Sequence, residues 1–255
     1  MTLLLVEQLG KEFGGVHAVS DLSFTIKSGT IHSIIGPNGA GKTTLFNLIT
    51  GIYTPSSGRI CFDGKEIAGR APFELAQWGM SRTFQNLQIF FNMSAMENVM
   101  VGHHLHLDRR FLPSLLRLPG IARGDEKARD ISAELMRFVG LEAYVKAEAQ
   151  SMPYGALKRL EIARALASKP KLLLLDEPAA GLNATESREI DEVIEKVAQS
   201  GVTVVLVEHD MKMVMGISDH ILVLDYGRKL AEGTPDEVRN NPVVVAAYLG
   251  GGAAP

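Results

Sequence analysis

The segment GPNGAGKTT, residues 36–44, decides the fold of this chain. Two of its glycines, Gly36 and Gly41, are separated by four residues and followed by Lys42 and Thr43, which is the pattern of a phosphate-binding loop. Glycine lets such a loop wrap tightly, so that several backbone N–H groups point at one triphosphate. We expect Lys42 to reach the β- and γ-phosphates and the Thr43 hydroxyl to ligate Mg²⁺. The residues of the loop expected to bind the nucleotide are Gly36, Pro37, Asn38, Gly39, Ala40, Gly41, Lys42, Thr43 and Thr44.

The sequence on both sides of the loop has the character that the loop requires. Residues 31–35 form a short apolar run typical of a strand, and residues 44–50 carry apolar side chains at helical spacing. A strand, loop and helix in this order place the phosphates at a helix N-terminus. Residues 172–175, four consecutive leucines, predict a strand that is buried on both faces. We therefore predict an α/β fold of the P-loop NTPase class.

Length and composition limit the possible classes of protein. The 255 residues suit one large domain with a buried core. The formal net charge of −3 and the lack of a long basic block give no support to nucleic acid as a partner. A single cysteine, Cys61, excludes an internal disulfide and fits a reducing compartment. No apolar run approaches the ~18 residues of a membrane span, so we expect a soluble or peripheral protein.

Hydrophobic periodicity divides the chain into a β-rich part and a helical part. Alternating or apolar runs at residues 3–9, 20–27 and 59–62 predict an antiparallel layer near the N-terminus. Residues 81–85 predict a strand, and residues 96–106, 127–139, 155–167 and 235–249 predict helices. We expect one domain over residues 1–255, in which 1–85 and 168–255 form the β-rich part and core, and 86–167 a helical subdomain. That subdomain would include an arginine-rich insert at 109–123, either solvated or touching anionic lipid headgroups.

Acidic and histidine side chains follow two of the predicted strands. Asp176 and Glu177 end the leucine strand, at the sheet edge where α/β proteins bind ligands. We expect Asp176 to hold Mg²⁺ and Glu177 to accept a proton from an attacking water or to orient it. His209 follows the strand predicted at residues 202–207 and could sense the γ-phosphate. The competing interpretation, a solvated strand end, is less favoured because the phosphate loop lies upstream.

A second glycine could bind an anion at the start of a helix. Gly155 opens the helix predicted over residues 155–167, and the N–H groups and dipole of a helix start attract negative charge. Some 110 residues separate it from the phosphate loop, so it could complete a site in a second subunit.

The histidines His103, His104 and His106 are interpreted as a solvated face, and we predict no structural metal there.

Taken together, these motifs resemble the ATP-binding cassette ATPases. The blocks GPNGAGKTT, RTFQ, MPYGALKRLEIARAL, LLLLDEP and VEHD occur in the family's order and cover nearly the whole chain. The resemblance implies a RecA-like core, ATP and Mg²⁺ as ligands, and ATP hydrolysis coupled to transport. It implies that Phe13 stacks on adenine and that Gln85 links Mg²⁺ and the attacking water to the membrane subunits. Glu177 would be the catalytic base, His209 the switch histidine, and Lys42 a phosphate ligand in the same reaction.

Two details narrow the resemblance. The insert after Gly102 and the ending GTPDEVRNNPVVVAAYLG look like the LivG-type ATPase subunits of branched-chain amino-acid importers. That likeness implies a head-to-tail pair with a second ATPase, in which Gly155 faces the partner's ATP, together with two permease subunits. It also implies an extracytoplasmic binding protein and a peripheral position on the cytoplasmic face of a bacterial or archaeal plasma membrane. Phe84, Phe90, Phe91 and Met93 would either form a groove for the permease or pack in the core of the helical part.

The chain departs from the family in its signature loop. The usual Leu-Ser-Gly-Gly-Gln is aligned with residues 152–156, where Pro153 replaces the serine and Ala156 the glutamine. Asn183 stands where the family commonly has aspartate. These changes suggest an asymmetric ATPase pair, in which the site that uses this chain's signature is the weaker one.

Three other functions are kept open. The first is the ATPase of a different transporter, such as a lipopolysaccharide exporter, which would share every catalytic residue. The second is a non-transport cassette protein in translation or DNA repair, although such proteins resemble two joined cassettes or carry very long insertions. The third is a nucleotide-binding regulatory subunit with little hydrolysis, which the signature changes favour and Glu177 and His209 oppose.

Overall fold

The computed structural model describes residues 1–106 and 119–249 and contains two β-sheets. Four strands form the smaller, antiparallel sheet in the order β2-β1-β4-β5. They are β1 (Thr2–Phe13), β2 (Val16–Lys27), β4 (Ser57–Phe62) and β5 (Lys65–Glu66). The predicted N-terminal layer is therefore present, and its first two strands are longer than the alternation alone indicated.

The larger sheet carries the phosphate loop. Its order is β10-β9-β3-β8-β7-β6, with β10 antiparallel to β9 and the other pairs parallel. The strands are β3 (Ile31–Ile35), β6 (Met80–Arg82), β7 (Leu172–Asp176), β8 (Thr203–Val207), β9 (His220–Asp225) and β10 (Arg228–Gly233). Strand β3 leads into the loop, β7 ends at Asp176, and β8 ends two residues before His209. Three functional segments therefore meet at the carboxyl ends of these strands.

The helices occupy both sides of the larger sheet. They are α1 (Lys42–Ile49), α2 (Pro72–Gln77), α3 (Ala95–Gly102), α4 (Pro119–Phe138), α5 (Tyr154–Leu166), α6 (Ala184–Gln199), α7 (Met211–Ile217), α8 (Pro235–Arg239) and α9 (Pro242–Leu249). Single 3₁₀ turns lie at His103–His106, Glu142–Tyr144 and Ala149–Ser151. The described residues between β6 and β7 are therefore helical or irregular, apart from an isolated bridge between Ser94 and Glu148.

Strand β7 explains how the core is divided. Leu172 and Leu174 pack toward the smaller sheet and α1, whereas Leu173 and Leu175 pack toward α3, α5 and α6. All four leucines are fully buried, which is why their run contains no polar residue. The strand and its carboxyl end are consequently fixed between two apolar layers.

Several predicted boundaries were wrong. The strand predicted at 81–85 ends at Arg82, so Gln85 lies beyond it, and the helix predicted at 96–106 ends at Gly102. The helix predicted at 127–139 begins already at Pro119. Residues 107–118 of the predicted arginine-rich insert lie outside the described residues. The C-terminal helix predicted at 235–249 is broken into two, because Pro242 starts a new helix.

The histidine segment also differs from the prediction of a solvated face. His103 is buried, and its Nδ1 atom lies 3.2 Å from the carbonyl oxygen of Ala167. His104 is exposed, with Nδ1 2.9 Å from the carbonyl oxygen of Val101. At least one of these histidines therefore packs in the helical part of the molecule.

Candidate nucleotide-binding site

The phosphate loop joins β3 to α1 and depends on glycine. A Cβ atom at Gly36 would lie 2.2 Å from the carbonyl oxygen of Leu224, so no larger residue fits without moving β9. Gly39 and Gly41 have φ values of 81° and 96°, in the region that favours glycine. The predicted motif therefore has the backbone conformation that a tight anion-binding loop needs.

Lys42 lies at the first position of α1 and is almost fully buried. Its Nζ atom donates to the carbonyl oxygens of Gly36 at 2.6 Å and Pro37 at 3.0 Å. Burial lowers the pKa of Lys42 from its usual value, and the charge of Glu177 opposes that shift. The ammonium group is thus held over the loop, within the cleft where phosphates would bind.

A cleft of about 410 Å³ opens in front of the loop. Its lining comprises Val16, His17, Ala18, Asn38, Gly39, Ala40, Gly41, Lys42, Thr43, Thr44, Glu177, Val207, His209 and Tyr226. The structure thus brings Glu177 and His209 to the phosphate loop. The other predicted residues do not line this cleft; they are Phe13, Gly36, Pro37, Gln85, Gly155 and Asp176.

Two predicted residues, His209 and Gln85, contact the carboxylate of a third, Glu177. The Nε2 atom of His209 lies 2.6 Å from Oε1 of Glu177, and the Nε2 atom of Gln85 donates to Oε2 at 2.9 Å. The backbone of Glu177 has a φ of 49°, which is unusual for a non-glycine residue and typical of functional positions. Its backbone N–H donates to the carbonyl oxygen of Val207 at 2.9 Å. The carboxylate is therefore oriented by groups from two separate segments, those of Gln85 and His209.

Glu208 accepts a hydrogen bond from the backbone of His209, and the sequence interpretation did not identify it as a site residue. Its side chain is buried and accepts hydrogen bonds from the backbone N–H groups of Ala179 and His209, each at 2.8 Å. These bonds connect the loop after Glu177 with the loop that carries His209. A signal was present, since Glu208 directly follows a fully buried strand, where a carboxylate needs buried hydrogen-bond donors.

Asp176 is held by an arginine that the sequence interpretation quoted but did not assign. The Nη2 atom of Arg82 lies 2.8 Å from Oδ2 of Asp176, and both side chains are 9% exposed. Arg82 ends β6, which pairs with β7 in parallel, so the two side chains meet at neighbouring strand ends. Asp176 is therefore fixed at the edge of the cleft and does not line it.

The predicted metal ligands fit Mg²⁺ by their chemistry. A threonine hydroxyl, a carboxylate and an amide oxygen, from Thr43, Asp176 and Gln85, are the hard oxygen donors that this ion prefers. Within residues 1–106 and 119–249, no group of three His, Cys, Asp or Glu side chains could hold a metal ion. The donor set is thus suited to an ion that arrives with a nucleotide's phosphates.

Phe13 pairs with Val16, which lines the cleft, across the turn between β1 and β2. Its ring packs edge-on against Tyr53, with centroids 5.2 Å apart, and the Nζ atom of Lys11 lies 4.9 Å from its centroid. The side chain is 41% exposed, and the next strand begins with Val16 and His17, which do line the cleft. An exposed ring face in this position is compatible with stacking on a base.

Gly155 lies in the first turn of α5, after Pro153 at the N-cap. A Cβ atom at Gly155 would lie 2.7 Å from Oε1 of Glu186, the side chain that caps α6. No residue of the signature loop, 152–156, lines the cleft. Within the described part of this chain, the signature glycine is therefore not part of the phosphate-loop site.

Three polar side chains of helix α5 form hydrogen bonds with the segment around Gln85. Lys158 donates to the carbonyl oxygen of Gln85 at 3.4 Å, and Glu161 accepts from the backbone N–H of Gln88 at 3.4 Å. Arg164 donates to the carbonyl oxygen of Gln88. Burial raises the pKa of Glu161 from its usual value, and Arg164 opposes that shift. The helix that begins with the signature loop is thus linked to the segment that carries Gln85.

A groove of about 430 Å³ lies between this segment and α5. Phe84 and Phe90 are among its lining residues, and both are 44% exposed. Phe91 and Met93 do not line it. Two of the four residues predicted to form a docking groove are therefore at a groove.

Comparison with known proteins places this site in a family. A family model described as ABC transporter matches residues 19–180, and a model described as branched-chain amino acid ATP-binding cassette transporter matches residues 228–254. The chain is 45% identical to the high-affinity branched-chain amino acid transport ATP-binding protein BraF of Pseudomonas aeruginosa, over 97% of this chain and 98% of BraF. It is 43% identical to LivG of Escherichia coli K12, with the same coverage.

Solved structures agree with this assignment. An ATP-binding cassette of an ABC transporter in its ADP conformation superposes with a TM-score of 0.85 at 32% identity, over 98% of this chain and 99% of that one. The predicted α/β P-loop fold is confirmed. In the described ranges, no helix is both long and apolar enough to cross a membrane. The chain belongs to the ABC transporter family, as one of its ATP-binding cassette ATPases.

Proposed function

We propose that this chain is the ATP-binding and ATP-hydrolysing subunit of an importer of branched-chain amino acids. The two relatives named above, which match over nearly their full length, carry that transport function in their names, and the C-terminal match has the same description. The observation that carries the catalytic part is the convergence of Gln85 and His209 on the Glu177 carboxylate beside the phosphate loop.

Glu177 accepts the proton of the attacking water in this proposal. Each carboxylate oxygen accepts one hydrogen bond, from His209 or Gln85, and keeps further acceptor capacity for a water molecule. Lys42 and the loop N–H groups hold the phosphates, and His209 lies in the same cleft, where its Nε2–H can donate either to Glu177 or to the γ-phosphate. Thr43, Asp176 and Gln85 would hold Mg²⁺, which supplies charge neutralisation on the phosphates when bound.

Phe13 would stack on the adenine. The ring is partly exposed at the end of β1 and is already fixed against Tyr53, so little side-chain freedom is lost when a base binds. Stacking of this kind does not depend on hydrogen bonds to the base and therefore distinguishes poorly between purines.

A second cassette would complete the site. Gly155 and the signature loop lie outside this chain's cleft, which fits a head-to-tail pair in which they face the partner's ATP. Pro153 at the N-cap has no hydroxyl to offer a phosphate, and its helix start has no side-chain cap. We therefore keep the proposal that the site built from this signature is the weaker of the two. Lys42→Ala here should slow turnover more than the same change in the sister subunit.

The groove beside Gln85 supports the proposal of permease partners. Its exposed aromatic residues, Phe84 and Phe90, suit a helix of a permease subunit, and Gln85 would pass its position to Glu177. The protein would then lie at the cytoplasmic face of the membrane, peripheral to two permeases that receive substrate from an extracytoplasmic binding protein. The division into a core and a helical subdomain at residues 86–167 belongs to the same proposal.

The test is transport by the assembled system. This chain, with its candidate sister and permease subunits, is reconstituted in lipid vesicles, and ATP-driven leucine uptake is measured for the wild type and Glu177→Gln. The substitution keeps the shape and removes the proton acceptor, so uptake should fall by about 100-fold or more, while ATP still binds.

Two other results would point elsewhere. Uptake that persists in Glu177→Gln would favour a regulatory chain whose sister subunit supplies the hydrolysis. ATP hydrolysis without leucine, isoleucine or valine uptake would favour the ATPase of a different transporter.

A further inference from the structure

Arg82 is a buried cation that lines the groove at Phe84 and pairs with Asp176. It ends the edge strand β6, and its side chain is only 9% exposed. A charge so far removed from water is costly unless close partners compensate for it. The partners of Arg82 therefore indicate why a charge is placed there.

The guanidinium joins two elements of the nucleotide site. Its Nη2 atom pairs with Oδ2 of Asp176 at 2.8 Å, at the end of β7. Its Nη1 atom donates to Oδ1 of Asn47 at 2.6 Å and to Oγ1 of Thr50 at 3.2 Å, on and just after the helix that follows the phosphate loop. The planar fork thus fixes the distance between the carboxylate and the helix.

Two aromatic rings hold the guanidinium in place. Its Cζ atom lies 5.5 Å from the ring centroid of Phe46 and 5.3 Å from that of Phe84. Its Nε atom is buried and has no hydrogen-bond partner among the described residues. The orientation of the group therefore depends on its two terminal nitrogens and on the rings. Phe84 lines the groove beside Gln85, so one of these rings is exposed at that surface.

We propose that Arg82 is a positioning residue that orients the Asp176 carboxylate for Mg²⁺ and connects it to the groove at Phe84. The proposal rests on the proposed ATPase function. Arg82 occupies Oδ2, so in this proposal Oδ1 is the oxygen that would ligate the ion that a nucleotide brings. A shift of Phe84 on docking would move the guanidinium, and with it the carboxylate. Lysine cannot replace this arrangement, since a single ammonium does not present a planar fork to Asp176 and Asn47 together.

The test measures metal dependence separately from nucleotide affinity. Arg82→Lys is compared with the wild type in the purified full-length chain, using ATP binding at a series of Mg²⁺ concentrations. Because an outer partner of a metal ligand is removed, the Mg²⁺ concentration for half-maximal effect should rise about tenfold. ATP affinity without Mg²⁺ should stay within about twofold, since the phosphate loop is unchanged.

Arg159→Lys is the matched control. Arg159 is also an arginine with an ion pair, to Glu189 at 3.3 Å, and a buried Nε atom without a partner in the described residues. It has no contact with Asp176, so the Mg²⁺ requirement should not change. A second variant, Asn47→Ala, removes one anchor of the fork and keeps the ion pair, and should raise the requirement by a smaller factor.

The outcomes separate the possible roles. An unchanged Mg²⁺ requirement in folded Arg82→Lys would overturn the proposal. If Arg82→Lys does not fold, an unchanged requirement in Asn47→Ala would do the same. Equal loss of ATP affinity with and without Mg²⁺ would also contradict it, because that pattern belongs to a purely structural ion pair. A wild-type chain that binds no ATP would overturn the proposed function, and this proposal with it.

Discussion

Asp191 offers a stability prediction whose sign and size follow from the structure. It lies on α6, is half-buried, and has an Oδ1 atom without a hydrogen-bond partner in the described part of the chain. Burial, followed by the charges of Asp210, Glu195, Glu208 and Glu192, raises the pKa of Asp191 to about 6 from a usual value of 3.8. We predict that Asp191→Asn stabilises the protein at neutral pH.

The sign follows from proton linkage. The folded state holds the proton of Asp191 more tightly than the unfolded state, so stability falls as the pH rises from about 4 to about 6. Since one pKa unit corresponds to about 1.36 kcal/mol, the full shift of the Asp191 pKa corresponds to roughly 3 kcal/mol. Solvent screening at a half-buried site reduces this to about 1–2 kcal/mol. The penalty is nearly complete above pH 7 and is smaller at pH 5, where part of the carboxyl is protonated.

The assay is urea unfolding of the full chain at pH 5.0 and pH 7.5. Asp191→Asn should be more stable than the wild type, and the difference should widen by roughly 0.5–1 kcal/mol between the two pH values. Glu192→Gln is the control, because it removes the same charge from an exposed neighbour on the same helix. A difference that does not depend on pH, or an equal gain in Glu192→Gln, would refute the reasoning.

Three further predictions concern the site itself. Gly36→Ala should destabilise the fold by more than about 2 kcal/mol, because its Cβ would meet the carbonyl oxygen of Leu224. Gly39→Ala has open space around its Cβ and should cost only about 1–2 kcal/mol, for its left-handed backbone. Equal losses of stability in thermal unfolding would contradict this. Phe13→Ala should weaken ATP binding about tenfold and Phe13→Tyr should not, if the ring stacks on the base; titration with ATP and GTP would reveal a different role if only one nucleotide were affected. Asn183→Ala should cost about 1 kcal/mol, since its side chain caps α6, and Asn183→Asp should restore the stability; a destabilised Asn183→Asp would show that the cap is not the reason.

The phosphate loop and its flanking elements could be predicted because the signals are local. Four consecutive leucines permit little except a strand buried on both faces, and glycines at fixed spacing describe a backbone conformation directly. The start of α4 at Pro119 was not predicted, because residues 119–126 lack a periodic apolar pattern. The break before α9 did have a signal in Pro242, which the apolar run after it obscured.

The site was predictable as a set of residues and not as a set of contacts. Glu177 and His209 were identified from their places after buried strands, and the structure brings them to 2.6 Å. Their joint contact with Gln85 depends on β6 lying beside β7, and no local pattern reveals that pairing. Arg82 could not be recognised as a site residue for the same reason, since its partner Asp176 is 94 positions away in the chain. Long-range neighbours of this kind come from topology.

The topology also explains why one short segment can affect two steps of the chemistry. Arg82 holds the carboxylate of Asp176, and Gln85, three residues later, holds the carboxylate of Glu177. One carboxylate serves the metal and the other the proton in the proposed reaction. Strand β6 is the edge of its sheet and is bonded to β7, so a shift of this segment would act on the two carboxylates directly and on α1 through the bonds of Arg82 to Asn47 and Thr50. Docking at Phe84 could therefore change hydrolysis, which is what a transporter that couples the two events requires.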